Sequence, residues 1–342
     1  MHKFYFVFAS LCVFIGGCRN EATTTAPIKP AASNRVVLYC SVDEVFARPI
    51  INDLQVRTGL KIDVLYDTEA AKTAGLASRI RAESSRPQAD VFWSSALLQT
   101  LLLNREKLLQ PYVSPAARDV PASLKDASGA WTAMGIRLHA IGWKKGTKYP
   151  PTGIKGLLWP QMKNKIGMAN PQFGTSSDWV AAMAARDGTA KTLNSFRALK
   201  KNGVQILPGN SVVAQRVARG ELLAGIADSD DWLAQKVDFN NYGFAVPGSV
   251  AILKNAPHSA NAKKLVDALI SKQTEDLLIK TMPGVSSTRP IVIGKEDYVS
   301  GATLDPREVH NRFLKAIPND TARWPDGWDK VREPLAQILL RD

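Results

Sequence analysis

Small polar and acidic residues recur in this chain directly after short apolar runs, and these are the residues that could do chemistry. Ser41, Asp43 and Glu44 follow the run at 36–40, Asp67, Thr68 and Glu69 follow 62–66, and Ser94 and Ser95 follow 90–93. Further along, Gly174, Thr175, Ser176 and Ser177 come after 166–169, Gly209, Asn210 and Ser211 after 204–207, and Asp228, Ser229, Asp230 and Asp231 after 223–227. Two chemistries overlap here. Thr175, Ser176, Ser177, Asn210 and Ser211 stand at expected helix starts, where hydroxyls and free backbone N–H groups suit an anion; plain helix capping uses the same residue types. Asp43, Glu69, Asp230 and Asp231 offer hard oxygen ligands for a metal ion or an amine, and solvated loop carboxylates have the same sequence signature.

No recognisable catalytic motif accompanies them. Of the four histidines, His2, His139, His258 and His310, none stands in a zinc-hydrolase spacing. No GxSxG elbow, phosphate-binding P-loop or GxGxxG follows an expected strand, and no candidate base lies beside a nucleophile. A binding protein rather than an enzyme is the expectation, with an enzyme or a signalling sensor on the same fold as the alternatives of a different class.

Such clusters need a scaffold that gathers strand ends, and the apolar pattern supplies one. The run at 36–40 reads as a strand buried on both faces. Phe46, Ile50 and Leu54 then recur at helical spacing, with Pro49 expected in the first turn and Gly59 as the stop. An alternating strand at 62–66, a helix over 72–84, a strand at 90–93 and a leucine-rich helix to residue 103 complete a βαβαβα order, the mark of a parallel sheet. A strand over 134–143 leads into a second unit with strands at 166–169, 204–207 and 223–227 and helices over 178–186, 189–202 and 212–219. Return strands at 244–246 and 250–253, helices over 261–270 and 275–280, and two amphipathic helices around a Trp324-Pro325 break within 306–342 end the chain. In open α/β sheets ligands bind beyond the carboxyl ends of strands, which is where the polar clusters fall.

With 342 residues and 45% hydrophobic content, the chain can bury more than one core. Its net charge of +13 is spread along the sequence rather than gathered in one stripe, which speaks against nucleic acid and for attraction to anionic surfaces or an anionic ligand. His2 and Lys3 precede 12 largely apolar residues from Phe4 to Ile15, too few to span a bilayer and the right length for an export leader. Ile15-Gly16-Gly17-Cys18 resembles the bacterial lipobox, which implies cleavage before Cys18 and diacylglycerol on its thiol. Residues 18–34, rich in threonine, alanine and proline, read as a flexible tether. Cys12 leaves with the leader, Cys18 carries the lipid and Cys40 has no partner, so no disulfide is expected. The folded body is then extracytoplasmic, lipid-anchored and monomeric.

Several segments together carry a family resemblance. Val37-Leu38-Tyr39-Cys40-Ser41-Val42-Asp43-Glu44, Tyr66-Asp67-Thr68-Glu69-Ala70, Ala89-Asp90-Val91-Phe92-Trp93, Ile166-Gly167-Met168-Ala169-Asn170-Pro171 and Gly225-Ile226-Ala227-Asp228-Ser229-Asp230-Asp231 resemble the solute-binding proteins of bacterial ABC importers. Over residues 36–290 the chain is most similar to their ferric-ion-binding branch. The resemblance implies an α/β, two-lobed periplasmic-binding-protein-like fold, each lobe a mixed, mostly parallel sheet flanked by helices, with hinge strands between. Lobe 1 would hold residues 35–133 and 250–300, lobe 2 residues 134–249 and 301–342, after a signal peptide at 1–17. It also implies an ABC permease and its ATPase as partners, and ferric iron or another metal ion with a synergistic anion as cargo. Matching positions would place Ser41, Asp43, Thr68, Glu69, Ser95, Gly174, Thr175, Ser176, Asn210, Asp230 and Asp231 around the ligand, with Asp43, Glu69, Asp230 and Asp231 toward the metal. One departure is plain: where the ferric branch carries adjacent tyrosines, this chain has Asp230 and Asp231. A phosphonate, a phosphate ester or an amine-bearing solute is therefore the alternative cargo.

Overall fold

The apolar run at 36–40 becomes the middle strand of one end of a single mixed sheet. The computed structural model describes residues 1–2, 34–67, 73–239, 244–289 and 321–340. In chain order, β1 (Arg35–Cys40), α1 (Glu44–Thr58), β2 (Lys61–Tyr66), α2 (Ala74–Ala82), β3 (Val91–Ser94) and α3 (Leu98–Arg105) form the first βα unit. β4 (Leu109–Gln110) and the long β5 (Thr132–Trp143) lead to α4 (Gly153–Leu157), β6 (Ile166–Ala169), α5 (Gly174–Asp187), α6 (Thr189–Lys201), β7 (Gln205–Leu207), α7 (Asn210–Ala218), β8 (Ala224–Asp228), α8 (Ser229–Ala234) and β9 (Asp238–Phe239). β10 (Phe244–Leu253), α9 (Ser259–Leu269), α10 (Lys272–Thr281) and α11 (Trp324–Leu340) follow.

The strand order is β2-β1-β3-β10-β5-β8-β6-β7. β1 pairs in parallel with β2 and β3, and β6 pairs in parallel with β7 and β8. Between these ends β10 and β5 run antiparallel to one another and to their outer neighbours β3 and β8. The apolar runs explain the arrangement, because strands covered by helices on both faces carry no polar alternation. Every residue of β3, β6 and β8 is buried.

Several local expectations are revised. The two return strands are one strand, β10, whose register with β5 shifts between Pro247 and Ser249. Proline has no N–H for the ladder, so an irregularity there interrupts pairing without ending the strand. α1 starts at Glu44, which places the exposed Pro49 in its second turn rather than the first. α5 starts at Gly174, ahead of the expected 178. Trp324-Pro325 opens α11, as suits a proline in the first turn. Most of the earlier C-terminal helix expected from residue 306 lies outside the described residues, as do the leader beyond residue 2, Cys18, the tether up to residue 33, Thr68 and Glu69.

α11 packs on α5 and α6, and Gly327 permits the approach: a Cβ there would lie 2.9 Å from the Ala181 carbonyl oxygen. Trp93, Trp232, Trp324 and Phe196 are among the largest fully buried side chains. Cys40 is buried and in no disulfide, and burial pushes its thiol far above the ordinary range, which makes it inert as a nucleophile. Among the described residues no helix is long and apolar enough to cross a membrane.

Candidate ligand-binding cleft

Five of the six polar clusters contribute to one cleft enclosing about 520 Å³, part of it open to solvent. Asp43, just before α1, and Ser95, just after β3, line one side. Gly174, Thr175 and Ser176 at the start of α5, Asn210 and Ser211 at the start of α7, and Asp228 and Asp231 around α8 line the other. Arg137 reaches the cleft from the middle of β5.

The hydroxyl and amide wall is not a set of helix caps. The residue preceding α5 is Phe173 and that preceding α7 is Gly209, and neither helix has a side-chain cap. Thr175 Oγ1 instead donates to Asp228 Oδ2 at 2.7 Å. Asn210 Nδ2 donates to Thr175 Oγ1 at 2.9 Å and to Asp228 Oδ2 at 3.0 Å. Ser176 Oγ and Asn210 Oδ1 are buried and have no hydrogen-bond partner among the described residues. A buried polar atom left unpaired costs about 1–3 kcal/mol, and a bound polar group at this wall would recover part of it. The first turns of two helices add N–H groups and the positive ends of their dipoles.

Asp228 is the hub beneath this wall. Its Oδ1 lies 2.7 Å from His139 Nδ1, and its Oδ2 lies 3.3 Å from an Arg137 guanidinium nitrogen. Burial pushes the Asp228 carboxyl up, but Arg137, His139 and Thr175 outweigh burial and hold it below the usual carboxylate range. Arg137 also lies 3.4 Å from Asp230 Oδ2 and donates to the Ser95 carbonyl oxygen at 2.5 Å. Burial would lower its pKa, yet Asp230, Asp228, Asp231 and Asp43 together raise it, so the guanidinium stays charged. Asp230 goes the other way: burial raises it, Arg137 opposes, and the ionised Asp228 raises it further. With one guanidinium between two buried carboxylates, Asp228 holds the negative charge more firmly than Asp230.

The carboxylate oxygens of Asp228, Asp230 and Asp231 come within 4.8 Å of one another, close enough to share a cation. Asp43 lines the same cleft, and Glu69 is outside the described residues. Of the other expected contacts, Ser95, Gly174, Thr175, Ser176, Asn210 and Asp231 line the cleft, and Asp230 lies buried beside Arg137. Ser41 sits one layer behind. Its hydroxyl accepts from the Ser95 N–H at 2.9 Å and receives Thr73 Oγ1 at 3.4 Å, so it positions Ser95. Sequence reasoning passed over Arg137 and His139 as members of an apolar strand; the available signal was a basic pair at i and i+2, on one face of β5. Asp228 was visible in its cluster, but its role as hub was not.

α8 is held in place by its own tryptophan. Trp232 is fully buried and its Nε1 donates to the Ala140 carbonyl at 3.2 Å. Gly142 leaves room for it, since a Cβ at 142 would lie 2.6 Å from the indole. This packing fixes α8, and with it Asp230 and Asp231, against β5.

Residues 36–281 match the family profile described as bacterial extracellular solute-binding protein. The chain is 27% identical over 312 residues to the major ferric iron-binding protein of Neisseria meningitidis, covering 82% of this chain and 92% of that one. It is 25% identical over 285 residues to the putative 2-aminoethylphosphonate-binding periplasmic protein of Salmonella typhi, covering 77% of each. Its fold superposes on iron-bound HitA from Pseudomonas aeruginosa with a TM-score of 0.74 at 17% identity, over 89% of this chain and 99% of HitA. The antiparallel β5 and β10 between two parallel ends are thus the crossing strands of a two-lobed periplasmic-binding-protein fold. The chain belongs to the bacterial extracellular solute-binding proteins.

Proposed function

We propose that this chain is the extracytoplasmic receptor of an ABC importer, anchored through Cys18 and tethered by residues 18–34, without catalytic activity of its own. The lobes at 35–133 with 250–300 and at 134–249 with 301–342 close over a solute gripped by an anionic group of the phosphonate or phosphate-ester class. The observation that carries this reading is the charged Arg137 guanidinium in a cleft whose opposite wall offers the unpartnered Ser176 Oγ and two uncapped helix starts. Asp43 and Asp231, on the same cleft, suit an amine on such a solute.

Ferric iron or another metal with a synergistic anion is the second reading, supported by the Asp228, Asp230 and Asp231 group and by the ferric iron-binding relatives. The built-in cation weighs against it, because Arg137 already lies within 3.4 Å of two of those three carboxylates.

Titration calorimetry on protein stripped with a chelator separates the two. Binding of 2-aminoethylphosphonate or a phosphate ester without metal, weakened at least tenfold in Arg137→Gln, is the expected result. Binding of ferric citrate alone, with no heat from any phosphonate or phosphate ester, would establish the metal reading instead.

A further inference from the structure

The cleft has a second compartment. A pocket of about 380 Å³, part of it open to solvent, adjoins the polar cleft and shares Asp43, Ser95 and Arg137 with it. Its remaining wall is mostly apolar: Val42, Trp93, Met134, Leu278, Met282 and Val285. The residue after Met134 keeps this space open, since a Cβ at Gly135 would lie 2.9 Å from both the Leu278 and Val285 methyls, and its φ of +70° favours glycine as well. The wall is drawn from distant parts of the chain: the end of β1, the end of β3, the start of β5, α10 and the turn after it.

A bare anion or a metal ion has no use for an apolar chamber opening from its seat, whereas an organic solute with a polar head and a short carbon substituent fits both compartments. We infer that the cargo carries a short apolar substituent, of one or two carbons, that enters this chamber past Arg137 while its anionic group sits against Ser176 Oγ and the N–H groups at the starts of α5 and α7. The inference rests on the anion reading above and adds the shape of the molecule. Met134 and Met282 suit the task, because unbranched thioether side chains adapt to small differences in a guest.

Calorimetry with inorganic phosphate, methylphosphonate, ethylphosphonate and butylphosphonate tests this on the full chain, prepared with chelator. Each carbon that enters the chamber should tighten binding about fourfold, with the gain ending after ethyl. Leu278→Ala should move the optimum toward butyl by enlarging the chamber, and Met282→Phe should shrink the ratio of ethylphosphonate to phosphate affinity. These two substitutions act in opposite directions, so a general loss of folding cannot imitate them. A flat series in which phosphate itself binds would overturn the chamber while leaving the anion reading intact. No binding by any member would overturn the chamber, and the anion reading falls with it when 2-aminoethylphosphonate and phosphate esters give no heat either.

Discussion

Arg137 is the residue on which the cleft's charge balance turns. It is buried with both of its carboxylate partners, so removing it strands their charge in the interior. Arg137→Met is therefore expected to cost about 3–5 kcal/mol of stability, the usual loss when one member of a buried ion pair is removed. Adding Asp228→Asn to that variant should restore part of it, and urea unfolding of the four proteins of this cycle measures the coupling. Strictly additive losses would show that Arg137 and Asp228 do not stabilise one another. At this scale the sequence was legible for hydroxyls and carboxylates placed after strands, because strand ends set their position. Arg137 was harder to read, because its neighbours Ile136 and Leu138 point to an ordinary buried strand and only the pairing with His139 at i+2 marks it. The helix-capping alternative for Thr175 and Asn210 could be settled only by geometry, since a cap and a ligand contact ask for the same side chains.

Between elements, the contact with the clearest consequence joins α5 to the start of α3. Asp178 accepts the Leu97 N–H at 2.6 Å and the Leu98 N–H at 3.1 Å. Burial nevertheless pushes its carboxyl up to about 7, against those N–H groups and Arg137. A carboxyl raised above its unfolded value binds its proton more tightly when folded, so its contribution is full below about pH 4 and is lost as pH rises toward 7. Asp228 has the opposite sign: its depressed pKa adds stability that is present above the ordinary carboxylate range and disappears as pH falls below it. Melting temperatures by calorimetry should therefore decline between about pH 4 and 7, and Asp178→Asn should make that slope shallower, the remainder belonging to Asp230. A slope unchanged in the variant would assign it to other groups. Gly142 gives a second check at this scale. Gly142→Val would drive a side chain into the Trp232 indole, at a cost of about 1–3 kcal/mol by overpacking, and an unchanged urea midpoint would mean that α8 is not held there.

Across the whole molecule, the order of strands and helices was written in the apolar periodicity, and the two parallel units appear where the runs at 36–66 and 166–227 place them. What periodicity could not show was that residues 244–253 form one strand, because Pro247 and Gly248 interrupt the pattern where the register shifts. That strand and β5 are the sheet's connection between its two ends, which makes them the hinge of the proposed closure. Small-angle scattering should then show a smaller radius of gyration with saturating ethylphosphonate than without, and identical curves would count against closure by cargo.

Cys40 gives the molecule a stopwatch. It is the single cysteine among the described residues, it is fully buried, and it ends β1 opposite Trp93 and Tyr66. A thiol reagent can reach it only when that end of the sheet opens, and at high reagent the labelling rate becomes the opening rate itself. The time course of one native side chain would thus report how often the first lobe breathes, and how far a bound solute slows it.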